Sequence, residues 1–184
     1  MKRILYLTLF VSFIFALGAS SFAQNKPKFS QPILITSAGQ SADVTLAGML
    51  CKRLSLTAKT IPVAKASDLD SAKTLIIVAG FSSKGLGAAG VSREQELNRV
   101  KDLISAAKTK KIPIMFMHIG GKARRGGESD DFNKLAAEAS TYMLVVKQGD
   151  DDKFFSTIAS KGKIPIELID KIADAAKPLG EIFK

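Results

Sequence analysis

The chain has 184 residues, with 27 Lys and Arg against 17 Asp and Glu, one His, one Cys and no Trp. That length suits one domain of ordinary size and excludes a large multidomain enzyme. The lone Cys51 and the lone His118 exclude a disulfide framework, a cysteine-cluster zinc site and a multi-histidine centre, so no metal site is expected.

Lys2 and Arg3 precede an apolar run over residues 4–17, broken only by Thr8 and Ser12. Small residues at Ser21 and Ala23 fit a signal-peptidase site, so residues 1–23 read as a secretory signal with Gln24 the new N-terminus. The apolar run is shorter than the roughly 20 residues of a spanning helix, so no stable membrane span is expected after cleavage. No Cys directly follows the run to carry a lipid. The protein is expected to be periplasmic or secreted. Residues 24–30 form a polar lead-in, and residues 31–184 a single domain.

The first apolar run, residues 32–36, leads into a Ser- and Gly-containing loop at 37–41. Val44, Ala47, Cys51 and Leu54 then recur at helical spacing, widened by Leu46 and Leu50. Cys51 falls on that apolar face and is expected to be a buried, inert thiol. A weaker strand is expected at 60–63 and a helical turn at 67–69. Thr74–Ala79 (TLIIVA) reads as a strand covered on both faces. A long Gly-rich loop follows at 80–90. Ser92 and Gln95 form a capping box for a helix whose inner face carries Leu97, Val100, Ile104 and Ala107.

A fourth strand is expected at 112–118 and a basic loop at 119–127. A helix with Phe132, Leu135, Ala136 and Ala139 follows, with Ser129 as its cap. Tyr142–Val146 is a fifth strand. Residues 150–152 open a short helix holding Phe154, Phe155 and Ile158. Ile164, Ile166 and Leu168 alternate in a sixth strand, and a last helix carries Ile172, Ala176, Leu179 and Phe183.

This alternation predicts an α/β fold. It is a three-layer sandwich around a mainly parallel, flavodoxin-like or Rossmann-like sheet of five to six strands. The expected strand order is 2-1-3-4-5, with the sixth strand extending the sheet. In such folds ligands bind at the carboxyl ends of the strands, where the order reverses. The loops at 37–41, 80–90 and 118–127 lie there, and all are rich in Gly, Ser or positive charge.

The candidate ligand-binding residues are Ser37, Gly39, Gln40, Ser41, Lys84, Gly85, His118, Gly120, Gly121, Lys122, Arg124 and Arg125. The glycines allow close backbone approach, helix N-termini attract anions, and the cations can hold a carboxylate or phosphate. The partner they suggest is a small anionic ligand, and Arg124 and Arg125, as loop residues, are expected to matter little for stability. The basic excess is spread over helices and aromatic residues are scarce, so no nucleic-acid partner is expected. The sequence leaves the oligomeric state open.

Residues 36–41 (TSAGQS) resemble the flavodoxin phosphate loop, but a flavin needs aromatic stacking partners, and Phe81 alone is near; no cofactor, FMN included, is expected. Residues 38–41 (AGQS) resemble the serine block of SGNH-type esterases, with Ser41 as nucleophile and His118 as base, but the late Asp-x-x-His element is missing. Helix capping by Ser41 is the competing reading. Gly85, Gly87 and Gly90 match a dinucleotide fingerprint in spacing, but after the third strand rather than the first.

Three blocks carry a wider resemblance: PILITSAGQSADV at 32–44, FSSKGLGAAGV at 81–91 and MHIGGKARRGGESD at 117–130. Together they resemble a family of bacterial exported α/β proteins classed only as a domain of unknown function. Three functions therefore stand open: a binding protein for a small anionic ligand, a hydrolase using Ser41 and His118, and an accessory protein that docks an envelope or transporter partner.

Overall fold

Apolar runs flanked by turn residues become the centre of a parallel sheet in the computed structural model, which describes residues 26–183. The expected secretory signal lies outside the described residues. Strands β1 (Ile33–Ala38), β3 (Thr74–Ala79), β4 (Ile114–His118) and β5 (Tyr142–Val146) are buried along their whole length. The edge strands β2 (Ala58–Thr60) and β6 (Ile166–Ile169) are exposed and half-buried respectively. The order is β2-β1-β3-β4-β5-β6, and every pairing is parallel.

Helices cover both faces, because each apolar run is too hydrophobic to leave either face wet. Ile35, Ile76, Met115 and Tyr142 lie in register on one face. There they meet Val44, Ala47 and Cys51 of α1 (Asp43–Arg53) and Leu179 and Ile182 of α6 (Ala176–Ile182). On the opposite face Ile77, Phe116 and Met143 pack under α3 (Arg93–Thr109), α4 (Gly127–Glu138) and α5 (Phe154–Gly162). The structure is the α/β sandwich read from the sequence, with the sixth strand extending the sheet.

Three local expectations are corrected. The second strand lies at Ala58–Thr60, not 60–63. Residues beyond Thr60 leave the ladder because the Pro62 carbonyl turns inward and accepts from Ser37 N, Thr36 Oγ1 and Gln40 Nε2. The stretch 80–90 is not all loop: it holds α2 (Ser83–Ala89), capped by the Ser82 hydroxyl accepting from Gly85 N and anchored by buried Leu86. Ser129 does not cap α4; that cap is Gly126, while the Ser129 hydroxyl accepts from Phe81 N and ties α4 to the end of β3.

Among the described residues, no helix is long and apolar enough to cross a membrane.

Candidate functional site at the carboxyl edge of the sheet

The loop after β1 is already filled by an anion from the chain itself. Glu96, on the first turn of α3, is fully buried and bonds Gly39 N at 3.0 Å and Gln40 Nε2 at 2.9 Å. Arg99, one turn on, grips the same carboxylate at 2.7 and 2.8 Å. It also donates to the carbonyls of Ser37 and Ala64. Gly39 and Gln40 are therefore structural members of a buried ion-pair network, not free to cradle a phosphate. Ser41 N is likewise spent on the Gly80 carbonyl. The resemblance to a flavodoxin loop does not extend to an anion cradle.

Glycines let the neighbouring loops close on this one. A Cβ at Gly85 would stand 2.0 Å from the Gln40 carbonyl oxygen, so α2 packs against the β1 loop only because position 85 lacks a side chain. Two of the three fingerprint glycines, Gly85 and Gly87, lie inside α2, which removes any phosphate-loop reading of that motif. Lys84 is exposed on its first turn and makes no ion pair among the described residues.

Arg124 spans the ends of β3 and β4. Its Nη1 donates to the Phe81 carbonyl at 3.1 Å, and its Nε lies 3.7 Å from Asp43 Oδ2 at the start of α1. A Cβ at Gly120 would fall 2.5 Å from that Asp43 oxygen and 2.2 Å from Arg124 Cγ, so Gly120 is what lets the two approach. Asp43 Oδ2 is buried without a hydrogen bond.

Ser41 and His118 each bond other partners in this fold. The Ser41 hydroxyl is buried and accepts from Asp43 N at 3.2 Å, a local turn just ahead of α1; the helix cap itself is Ala42, which corrects the capping expectation for Ser41. His118 is fully buried and stacks near Phe116 and Phe155. Its Nε2 faces the Gly121 carbonyl at 3.1 Å; a carbonyl only accepts, so Nε2 carries the proton. Burial pushes the His118 pKa below its ordinary value; the Gly121 carbonyl and the Asn133 side chain offset this only in part. No hydrogen bond joins Ser41 to His118, and the ring presents no nitrogen to solvent.

Arg125 points the other way, toward β5, and shares no partner with Arg124. Its guanidinium is paired with Asp130 at 2.8 Å and Asp152 at 2.9 Å, donates to the Gly149 carbonyl, and lies 4.3 Å over the Phe154 ring. Burial opposes its charge, but the two carboxylates outweigh that and raise its pKa. The same guanidinium holds Asp152 down to about 2. Arg125 is thus a tether between loops rather than a free loop cation, which corrects the expectation that it is dispensable to stability.

Beside this tether, at the carboxyl ends of β4 and β5, is a cavity of about 410 Å³ lined by Lys122, Arg125, Gly126, Asp130, Gln148, Asp151 and Asp152. Open α/β sheets bind ligands at this edge. Lys122, Gln148 and Asp151 have no side-chain partner among the described residues. Gly121 sits behind the wall, against Gln148.

A family model for a domain of unknown function, DUF6305, matches residues 30–183. The chain belongs to the DUF6305 family. No curated protein matches it. Among solved structures the DUF6305 chain is similar to a GDSL-like lipase from Bacteroides thetaiotaomicron, at 10% identity and a TM-score of 0.35. That alignment covers 74% of this chain and 66% of the lipase, just under two thirds of the latter. It is also similar to AlinE4, an SGNH-hydrolase family esterase, at 13% identity and a TM-score of 0.30, over 88% of this chain and 85% of the esterase. At these values no residue role is carried over.

The predicted site residues of the DUF6305 chain thus fall into two groups. Ser37, Gly39, Gln40, Ser41, Gly85, Gly120 and Arg124 meet where β1, β3 and β4 end. Lys122 and Arg125 line the cavity beside β4 and β5, with Gly121 behind it and His118 buried below; Lys84, exposed on α2, joins neither group. Asp43, Glu96, Arg99, Gln148 and Asp151 join these two groups in the structure without being among the residues expected from the sequence. Among the described residues, no cluster of His, Cys, Asp and Glu could hold a metal ion.

Proposed function

We propose that this chain is an exported small-molecule-binding domain whose ligand sits in the cavity between the loops after β4 and β5. The observation that carries the reading is the unpaired Lys122 ammonium in that cavity, with the Gln148 amide and the Asp151 carboxylate also unspent. Arg125 is already neutralised by Asp130 and Asp152. The unspent groups therefore suit a ligand with one anionic group for Lys122 and hydroxyl or ammonium donors for Asp151 and Gln148. A sugar acid or an amino-acid-like zwitterion has that chemistry. Export rests on the basic, apolar, small-residue order of residues 1–23, and Gln24 as the N-terminus of protein recovered outside the cytoplasm would test it.

The geometry does not favour the hydrolase, since neither Ser41 nor His118 is disposed to act on a substrate. Thermal-shift screening of phosphates, carboxylates, sugar acids and amino acids tests the binding reading. A charge-assisted hydrogen bond contributes about 1.5–3 kcal/mol, so Lys122→Ala should weaken a stabilising compound by about tenfold or more. Lys84→Ala, on the exposed face of α2, should leave it unchanged. If no compound stabilises the protein, or if Lys122→Ala binds as the wild type does, the reading fails.

A further inference from the structure

Leu46 and Met49 are the large apolar side chains left exposed among the described residues, at 38% and 61%. They are three residues apart on the outer face of α1 and share one groove of about 800 Å³. Leu50 and Ile172 floor the groove, and Lys52 and Arg53 stand at its rim. No acidic residue lines it, and neither rim cation has an ion-pair partner among the described residues. The groove lies on the α1 flank, apart from the strand-end cavity. An apolar groove rimmed by unpaired cations is shaped to take the apolar face of a partner helix.

Charge narrows the occupant. A second copy meeting the groove about a two-fold axis would set Lys52 and Arg53 against the same cations. The apolar leader brings Lys2 and Arg3 and no acid, so it too is repelled. A concave groove presents its apolar floor poorly to a flat bilayer. We propose that the groove docks an amphipathic helix of a partner protein, with apolar residues three and four apart set between Leu46 and Ile172. Asp or Glu residues flank that stripe and meet Lys52 and Arg53.

Two synthetic peptides with the same leucine face test this, one flanked by Glu and one by Lys, alongside vesicles containing phosphatidylglycerol. Binding is read by fluorescence anisotropy and by the methyl NMR signal of Met49. The Glu-flanked peptide should bind and shift that signal. Leu46→Ser with Met49→Ser should weaken it at least tenfold, with no loss of fold because both residues are exposed. Lys52→Glu with Arg53→Glu should reverse the preference toward the Lys-flanked peptide. The proposal is overturned if the Glu-flanked peptide does not bind or binds no better than its Lys counterpart. It is equally overturned if the vesicles alone shift the Met49 signal. Dependence of that signal on protein concentration would assign the groove to a second copy. A difference between chains with and without residues 1–23 would assign it to the leader.

Discussion

Replacing Glu96 with Ala should be among the most damaging single changes in this protein. The carboxylate is fully buried and accepts from Arg99 at 2.7 and 2.8 Å, from Gly39 N at 3.0 Å and from Gln40 Nε2 at 2.9 Å. Its removal leaves the Arg99 guanidinium, 12% exposed, without a counter-charge, and a buried backbone N–H without an acceptor. Breaking a buried pair from one side costs about 3–5 kcal/mol, a large share of the roughly 5–15 kcal/mol that holds a domain folded. At about 2–4 °C per kcal/mol for a domain of this size, the melting temperature should fall by about 6–20 °C. Urea unfolding of wild type and Glu96→Ala measures the cost. Glu96→Leu combined with Arg99→Met removes both charges and should cost less than Glu96→Ala alone. A cost below about 1 kcal/mol, the range of a solvent-exposed pair, would refute the claim that this ion pair organises the β1 loop.

Three further outcomes follow from the same geometry. Arg125→Ala should lower stability by about 1–2 kcal/mol in urea titrations, modest because one partner, Asp152, is exposed, whereas Lys122→Ala should be silent. His118 has a folded pKa below its unfolded value near 6.5, so the unfolded chain takes up the proton first. Stability should be full above that pH and fall as the pH drops below it, and His118→Gln should abolish this slope. Burial pushes the Cys51 thiol up to about 11, so a thiol reagent at pH 8 should label it only in denaturant.

What the sequence disclosed and what it concealed have physical causes. TLIIVA at Thr74–Ala79 announces a doubly covered strand because every position is apolar or β-branched, and the strand order follows from the weak second and strong third strands. Helix α2 was hidden by its glycines, which suggest a loop, although Ser82 before Gly85 and Leu86 was a capping signal. Glu96 was legible in part: it lies four, seven and eight residues before Val100, Leu103 and Ile104, on the buried stripe of α3. An acid on that stripe requires a buried cation, and Arg99 is within one turn. The roles of Arg124 and Arg125 were not legible. Which carboxylate each meets depends on the approach of Asp43 and Asp152, distant in sequence and brought near only by the sheet.

The central claim is that the ligand site lies in the cavity beside β4 and β5. Backbone amide NMR during titration with a compound that raises the melting temperature tests it most directly. The account predicts shifts concentrated at residues 121–126 and 147–152, lost on Lys122→Ala. Shifts concentrated instead at residues 37–41 and 80–85 would place the site at the Ser41 loop and contradict it.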